Sequence, residues 1–437
     1  MSLKQKINQK QSIKASYTKD DETCNNITTV NRRTFLKGLG LGVGSIGAGV
    51  SLASRAELVG YSSKNDGFAY NRNFDFNATN SDDQNGYQEF YQPVQTCNAA
   101  LIDTRLFSSS NTSSGMYERN NLAIKRLTCA GFHVQNPEIL NRQYYRFGGS
   151  DKERANDFEY IANGRVDAPK LLLGVRGGYG AMRILDKVNW AKLGSVLKER
   201  GTIVGGFSDV TAIQCALLAK GGMGSSNLPM AYSEFGKYMP DPISCAGFVK
   251  AVTDKNLVIS TDSSDKTSYK LPTILSKRPN QRISGKIWGG NLSVLSAIAG
   301  STYMPNPSGG IVFIEEVGEQ PYRLERMLYD LHLAGVFKNQ QAIVFGAMAR
   351  SGSDGYDPNY DVAVVINELY KVTGLPIYSG VGFGHISEKQ SFPMGCDCTI
   401  MTNGSGFDLK FANYPTIDAD LIYEPALSAY LDVQTIS

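Results

Sequence analysis

Histidine is the commonest general base near neutral pH, and the chain holds only three: His133, His332 and His385. His133 falls in strand-like Phe132-His133-Val134 just after a helical stretch, and His332 falls within a helix-patterned segment whose side chains are mostly spent on packing. His385 instead follows Gly382-Phe383-Gly384, in a turn after strand-like Pro376-Ile377-Tyr378. Loops at strand ends gather catalytic side chains, so position favours His385 as the base. A nucleophile is offered by Gly206-Phe207-Ser208-Asp209, where an apolar strand before and a helix after give the strand-turn-helix of a nucleophile elbow. Val210 breaks the full G-x-S-x-G pattern, and a serine that merely caps a helix fits these residues nearly as well. The third requirement is a carboxylate that orients the imidazole and stabilises its cation. Glu315 fits, directly after strand-like residues 311–314; Glu316 and Glu319 compete, and a solvated acidic strand end is the bland alternative.

Amide hydrolysis also needs donors aimed at an oxyanion. Arg176-Gly177-Gly178-Tyr179-Gly180 lies between a strand and a helix, where backbone N–H groups can converge on such a charge or bind some other anion. As a dinucleotide fingerprint it fails, because the G-x-G-x-x-G spacing and the downstream acidic residue are missing. G-x-x-x-x-G-K-[ST] and H-E-x-x-H are absent too, which argues against nucleotide and zinc chemistry. Seven cysteines spread over 437 residues are too sparse for a disulfide scaffold and read as structural thiols. Cys396 and Cys398 form C-x-C with no second Cys or His pair at zinc-finger spacing, so neither metal nor cofactor is expected. A formal charge of +3 with no basic block excludes nucleic acid as the expected partner.

The elements that must position these residues alternate. Residues 100–107 read as a strand, 117–129 as a helix, 170–175 as a buried strand, 202–206 as another, and 211–219 as a helix. Strand, helix, strand in this rhythm implies a parallel sheet with right-handed crossovers. The pattern weakens over 230–278, where an inter-domain connection is expected. Beyond it come strand-like 311–314, an amphipathic helix over 321–335, strand-like 342–345, a helix near 362–372 and short alternating segments, the mixture of an α+β domain. The expected organisation is a signal at 1–56, a polar spacer at 57–95, a nucleophile domain at 96–240, a connection at 241–280 and a C-terminal domain at 281–425.

The signal is read from Asn31-Arg32-Arg33-Thr34-Phe35-Leu36-Lys37 and the Gly-rich apolar stretch at 38–52, the pattern of twin-arginine export. That stretch, about 15 residues, is short for a membrane span, so cleavage near Ala53 or Ala56 is expected, with an uncleaved anchor as the alternative. The export machinery is thus one expected partner and the periplasm the expected location.

Five motifs in order resemble one family. They are Val175-Arg176-Gly177-Gly178-Tyr179-Gly180-Ala181-Met182-Arg183, Gly206-Phe207-Ser208-Asp209-Val210-Thr211-Ala212, Trp288-Gly289-Gly290-Asn291-Leu292, Phe313-Ile314-Glu315-Glu316-Val317-Gly318-Glu319-Gln320-Pro321-Tyr322-Arg323, and Gly382-Phe383-Gly384-His385. Together, over residues 99–417, the chain resembles the serine L,D-carboxypeptidases, whose relatives include the microcin C immunity peptidases. The resemblance implies an α/β fold: a Rossmann-like N-terminal domain with a parallel sheet plus a smaller α+β C-terminal domain, with the active site at their interface. It implies Ser208 as nucleophile, Glu315 as the triad carboxylate, His385 as base, and an oxyanion hole from the Gly178 and Asp209 amides. It also implies a homodimer.

The reaction so implied releases terminal D-alanine from peptidoglycan tetrapeptides through an acyl-enzyme, with peptidoglycan-derived peptides as partners. Recognition of a free carboxylate suits an arginine fork, for which Arg176 and Arg323 are candidates. Tyr179 and Trp288, in the same motifs, complete the candidate substrate contacts. The family's usual His-Gly-Pro-Met stands here as Asn227-Leu228-Pro229-Met230. An immunity-type peptidase acting on peptidyl or acyl nucleotides is the competing enzyme, and a cell-wall peptide-binding protein the competing non-enzyme.

Overall fold

The computed structural model describes residues 97, 99–262, 282–402 and 406–430. The expected signal and spacer lie outside the described residues, as does 263–281 of the expected connection.

The chain order is β1 (Ile102–Phe107), α1 (Tyr117–Cys129), β2 (Phe132–Val134), α2 (Asp151–Ala162), β3 (Leu171–Gly174), α3 (Trp190–Arg200), β4 (Ile203–Gly206), α4 (Thr211–Gly221) and β5 (Ser225–Asn227). These five strands pair in parallel, in the spatial order β5-β4-β3-β1-β2. Every residue of β3 and β4 is buried. Such unbroken apolar runs need cover on both faces, which is the reason for a parallel sheet flanked by helices. Local chemistry sets the helix ends: Ser150 and Glu153 form a reciprocal capping box at the start of α2, and Gly201 closes α3 at φ +68°.

Next come α5 (Pro242–Thr253), β6 (Val258–Asp262), β7 (Arg282–Asn291), α6 (Leu292–Ile298), β8 (Gly310–Val317), α7 (Pro321–Leu333), β9 (Gln340–Ala349), α8 (Val362–Thr373), β10 (Ile377–Ser379), β11 (Phe392–Met394), β12 (Asp397–Thr402) and β13 (Gly406–Ala412). The second sheet runs β10-β9-β8-β7-β12-β13-β6; its first four strands are parallel and the rest antiparallel. That division gives the second lobe its mixed character, with the parallel half next to the site. The stretch from 241, expected as connection, carries α5, with Asp241 capping its N-terminus and Pro242 in its first turn, and then β6. Its polar and turn-prone flanks mask a helix that is settled by its caps and buried face.

The lobes are laced together. β11, from the second half, adds antiparallel to β5 at the edge of the first sheet. Helix α4 packs against α3 on one side and α6 and β7 on the other, so it is apolar on nearly every face. Phe207, Phe313, Phe383 and Phe392 meet edge to face across the same boundary.

The reading of the cysteines as thiols changes at one pair: Cys97 and Cys129, at the end of α1, form a disulfide. Cys215, Cys245, Cys396 and Cys398 are free and buried, and burial pushes the Cys245 and Cys396 thiols up to about 12, which leaves them inert. Among the described residues no helix is long and apolar enough to cross a membrane.

Candidate active site

Ser208 sits between β4 and α4 at φ +64°, in the left-handed region that residues with a Cβ avoid. Such a conformation costs about 1–3 kcal/mol, an amount that burial of Phe207 and Val210 on either side, about 1.5–3 kcal/mol each, readily offsets. Gly206 makes the turn possible: at φ +155°, a Cβ there would come within 2.8 Å of the Val210 side chain. Val210 breaks the sequence pattern without breaking the elbow, because the close approach is made at Gly206. Ser208 remains half-buried, its hydroxyl directed off the end of the sheet at the head of α4.

From the other lobe, β8 delivers Glu315 and the turn after β10 delivers His385. His385 Nε2 lies 3.0 Å from Ser208 Oγ, and His385 Nδ1 lies 2.8 Å from Glu315 Oε2. The carboxylate holds the proton on Nδ1, so Nε2 is left to accept from the serine. Both side chains are shielded, at 7% exposure for His385 and 1% for Glu315. Gly384 is needed beside them, since a Cβ there would sit 3.0 Å from Glu315 Oε2 and the backbone is at φ +135°. Burial pushes the imidazole down, but the charge and hydrogen bond of Glu315, with the Glu316 charge behind, outweigh it and raise His385 above the ordinary histidine value.

The competing acidic residues go elsewhere. Successive strand residues face opposite ways, and Glu316 turns to the head of α6, accepting from Asn291 Nδ2 at 3.0 Å and from the Ser293 amide at 2.7 Å. Glu319 pairs with Arg323 at 3.6 Å on the surface. His133 is exposed on β2, and His332 rides on α7 against Tyr329. Neither shares the site.

The glycine loop abuts the elbow, because a Cβ on Gly177 would meet Ser208 Cβ and Oγ at 2.8 Å. Gly178, at φ +120°, lies over Asn111, whose Oδ1 accepts from the Tyr179 amide at 3.3 Å. One peptide of this loop is held from both ends. Arg154 donates to the Gly180 carbonyl at 2.8 Å, and Asp209 Oδ2 accepts from the Ala181 amide at 2.9 Å and from Ser110 at 2.6 Å. The buried Asp209 carboxyl, next to Ser208 in the chain, thus orients the loop that carries Gly178. The sequence reading missed Arg154, Ser110 and Asn111; the polar run after β1 is the one local signal for the last two.

The candidate substrate contacts separate. Tyr179 is 42% exposed at the edge of the glycine loop. Arg176 is buried beside it, bonded to the Thr112 carbonyl at 3.1 Å and stacked on Tyr232. Arg323 is an exposed residue of α7, engaged with Tyr322 and Glu319. Trp288 is a correction: it is a core residue at 1% exposure, its indole donating to Gln340 Oε1 at 2.9 Å, and it offers no face to a ligand. The neighbouring glycines explain its motif differently. A Cβ on Gly290 would strike Thr211 at the start of α4, and the Asn291 amide donates to Thr211 Oγ1 at 3.0 Å. Trp288-Gly289-Gly290-Asn291 thus joins the second lobe to the nucleophile helix. Among the described residues, no three His, Cys, Asp or Glu side chains are placed to share a metal ion.

Two family models match the chain, the LD-carboxypeptidase N-terminal domain over residues 105–227 and the LD-carboxypeptidase C-terminal domain over 284–400. The chain is 24% identical over 272 residues to a Bacillus subtilis protein named "Probable murein peptide carboxypeptidase", spanning 62% of this chain and 81% of that one. It is 25% identical over 332 residues to the Microcin C7 self-immunity protein MccF of Escherichia coli, spanning 70% and 93%. In structure it is similar to the muramoyltetrapeptide carboxypeptidase of Oxalobacter formigenes, with TM-score 0.61, 28% identity, and coverage of 72% of this chain and 100% of that one.

Proposed function

The chain belongs to the LD-carboxypeptidase family, and from that premise we propose that it is a serine peptidase releasing terminal D-alanine from peptidoglycan tetrapeptides. The observation that carries the reading is the hydroxyl, imidazole and carboxylate in line at 3.0 and 2.8 Å. Ser208 Oγ attacks the carbonyl of the L-configured centre of the diamino acid as its proton passes to His385 Nε2. The carbonyl oxygen becomes an anion held by the Gly178 and Asp209 amides, and Glu315 stabilises the imidazolium. The C–N bond then breaks, and the D-alanine nitrogen takes the proton from His385. Water next attacks the ester while giving its proton to His385, and Ser208 recovers that proton as the shortened peptide leaves.

Incubation of the mature protein with a defined muropeptide tetrapeptide is expected to yield one D-alanine per tripeptide, followed by chromatography of both products. An acyl-sulfamoyl nucleoside cleaved while the tetrapeptide stays intact would transfer the same machinery to the immunity-type reading.

The setting we propose is the periplasm, reached through the twin-arginine signal at residues 1–56. The Cys97–Cys129 disulfide supports this location, because such bonds persist in oxidising compartments and are rare where glutathione keeps thiols reduced. Intact mass of the protein from a periplasmic fraction should give an N-terminus downstream of the apolar stretch and a mass lower by two hydrogen atoms for the cystine. Recovery of uncleaved chain from the cytoplasm alone, with both thiols alkylatable, would remove the periplasmic assignment.

A further inference from the structure

The loop that carries His385 is held by more than its own turn. At its base Gly382 and Gln390 bond to each other, the Gln390 amide to the Gly382 carbonyl at 2.7 Å and the Gly382 amide to Gln390 Oε1 at 3.1 Å. From outside the loop, Ser244 on α5 donates to the Ser387 carbonyl at 2.6 Å and accepts from the Lys389 amide at 2.8 Å. The last attachment is ionic. The Lys389 ammonium is completely buried, bonds to the Ile386 carbonyl, and lies 3.4 Å from Glu234 Oε1. At that distance the contact to Glu234 is an ion pair and the directed bond is the one to Ile386.

Glu234 belongs to a single π-helical turn, Ala231–Phe235, in the nucleophile lobe. Its second oxygen accepts from the Met230 amide at 2.9 Å. Burial pushes the Glu234 carboxyl up, but Lys389 and Lys237 outweigh it and hold the group below its ordinary value, so it is ionised. A buried ion pair is poor evidence of stability, because desolvating both charges consumes most of what their attraction returns. Its position, four residues after the proposed base, calls for another explanation. The same ammonium lies 5.4 Å from the Phe207 ring, and that ring lies 5.3 Å from His385.

We propose that Lys389 and Glu234 are positioning residues that pin the His385 loop across the lobe boundary and set the charge field in which the imidazole accepts the serine proton. The inference rests on the reading of His385 as the base. The charged or titratable groups that act on His385 include Glu315 and Glu316 from β8 and Lys389 from its own loop, with Ser208 on the elbow. Lys389 is the cation among these four. Its charge disfavours the imidazolium, so it keeps the base neutral at lower pH than the two carboxylates alone would allow.

The test is the rate at which a fluorophosphonate labels Ser208, followed from pH 5 to 9 in wild type, Lys389→Met, and the double variant Lys389→Met/Glu234→Gln. Labelling needs the hydroxyl and its base and no knowledge of the substrate. With the cation removed, the midpoint of the acid limb should rise by about half to one pH unit in both variants, slowing labelling at pH 6 by about 3- to 10-fold. The single variant leaves Glu234 buried and unpaired and should melt well below wild type, whereas the double variant should recover most of that loss while keeping the displaced limb. A purely structural lysine predicts a recovered limb along with the recovered melting temperature, and that result overturns the inference. An unlabelled wild-type Ser208 overturns the catalytic reading and this inference with it, while a labelled wild type with an unmoved limb in the double variant overturns the inference alone.

Discussion

Replacement of Ser208 by alanine is expected to lower kcat for D-alanine release by about 10⁴- to 10⁶-fold while leaving KM within about threefold. The size follows from what remains. Without the hydroxyl no acyl-enzyme forms, and the amides of the oxyanion loop still polarise the bound carbonyl toward water, a residual catalysis of about 10³- to 10⁴-fold over the uncatalysed reaction. The fold should tolerate the change, because serine and alanine both carry a Cβ and meet the left-handed φ of +64° at equal cost. Ser208→Gly should be as inactive yet more stable by about 1 kcal/mol, since glycine takes that conformation freely. Strain would then be visible as stability gained where activity is lost. His332→Ala, on the surface of α7, should turn over like wild type. Product release by a folded Ser208→Ala protein at the wild-type rate would remove the nucleophile, and with it the acyl-enzyme.

The three residues on which that expectation turns are legible in the sequence for unequal reasons. His385 could be chosen because histidine is scarce and the other two fall on a strand and inside a helix, where the structure has them. Ser208 reads equally as an ordinary helix cap, and it is the resemblance of its neighbours to a family motif that tips the choice; the positive φ that distinguishes the two is a backbone property with no residue-type signal except the glycine two residues before it. Glu315 could not be separated from Glu316 by type or burial. What separates them is strand alternation against the sheet, which requires knowing which face carries His385. That partner is 70 residues away in sequence, and Ser208 is 177 from His385.

The same division runs through the fold. Strands β3 and β4 and helices α4 and α7 lie where period and apolar content put them, because their burial is written in consecutive residues. β11 is three residues long and is a strand only because β5 offers it an edge. Trp288 reads as a candidate substrate contact because it lies in one of the family motifs; here the glycines make room for Thr211 and for the Phe313 backbone, and the indole fills the core behind them. Arg154 and Lys389 were unreadable for a general reason. Buried charges are uncommon and show no periodicity that separates them from solvated ones, so their roles appear only with their partners, the Gly180 carbonyl and Glu234.

The choice between the adjacent glutamates can be tested. Glu315→Gln is expected to lower kcat by about 10⁴-fold with an unchanged fold, because a neutral amide no longer dictates which imidazole nitrogen carries the proton and no longer offsets the positive charge formed as Ser208 attacks. The pH profile gives an independent sign. In wild type the imidazole is raised above the ordinary histidine value of about 6.5, so kcat/KM should climb with pH through a midpoint above that value, where the base becomes neutral. Without the Glu315 charge, burial and Lys389 both press the imidazole down against the smaller opposing effect of Glu316. The residual activity should therefore show its acid limb at lower pH than wild type, even as the plateau collapses. A side chain that mattered only for packing has no reason to move the limb in that direction. Glu316→Gln, which changes the contacts with Asn291 and Ser293 at the head of α6, should cost stability and keep kcat within about tenfold of wild type. Equal losses of kcat at the two positions, with neither limb displaced, would mean that neither carboxylate orients the base, and the 2.8 Å contact between His385 and Glu315 would need a structural explanation instead.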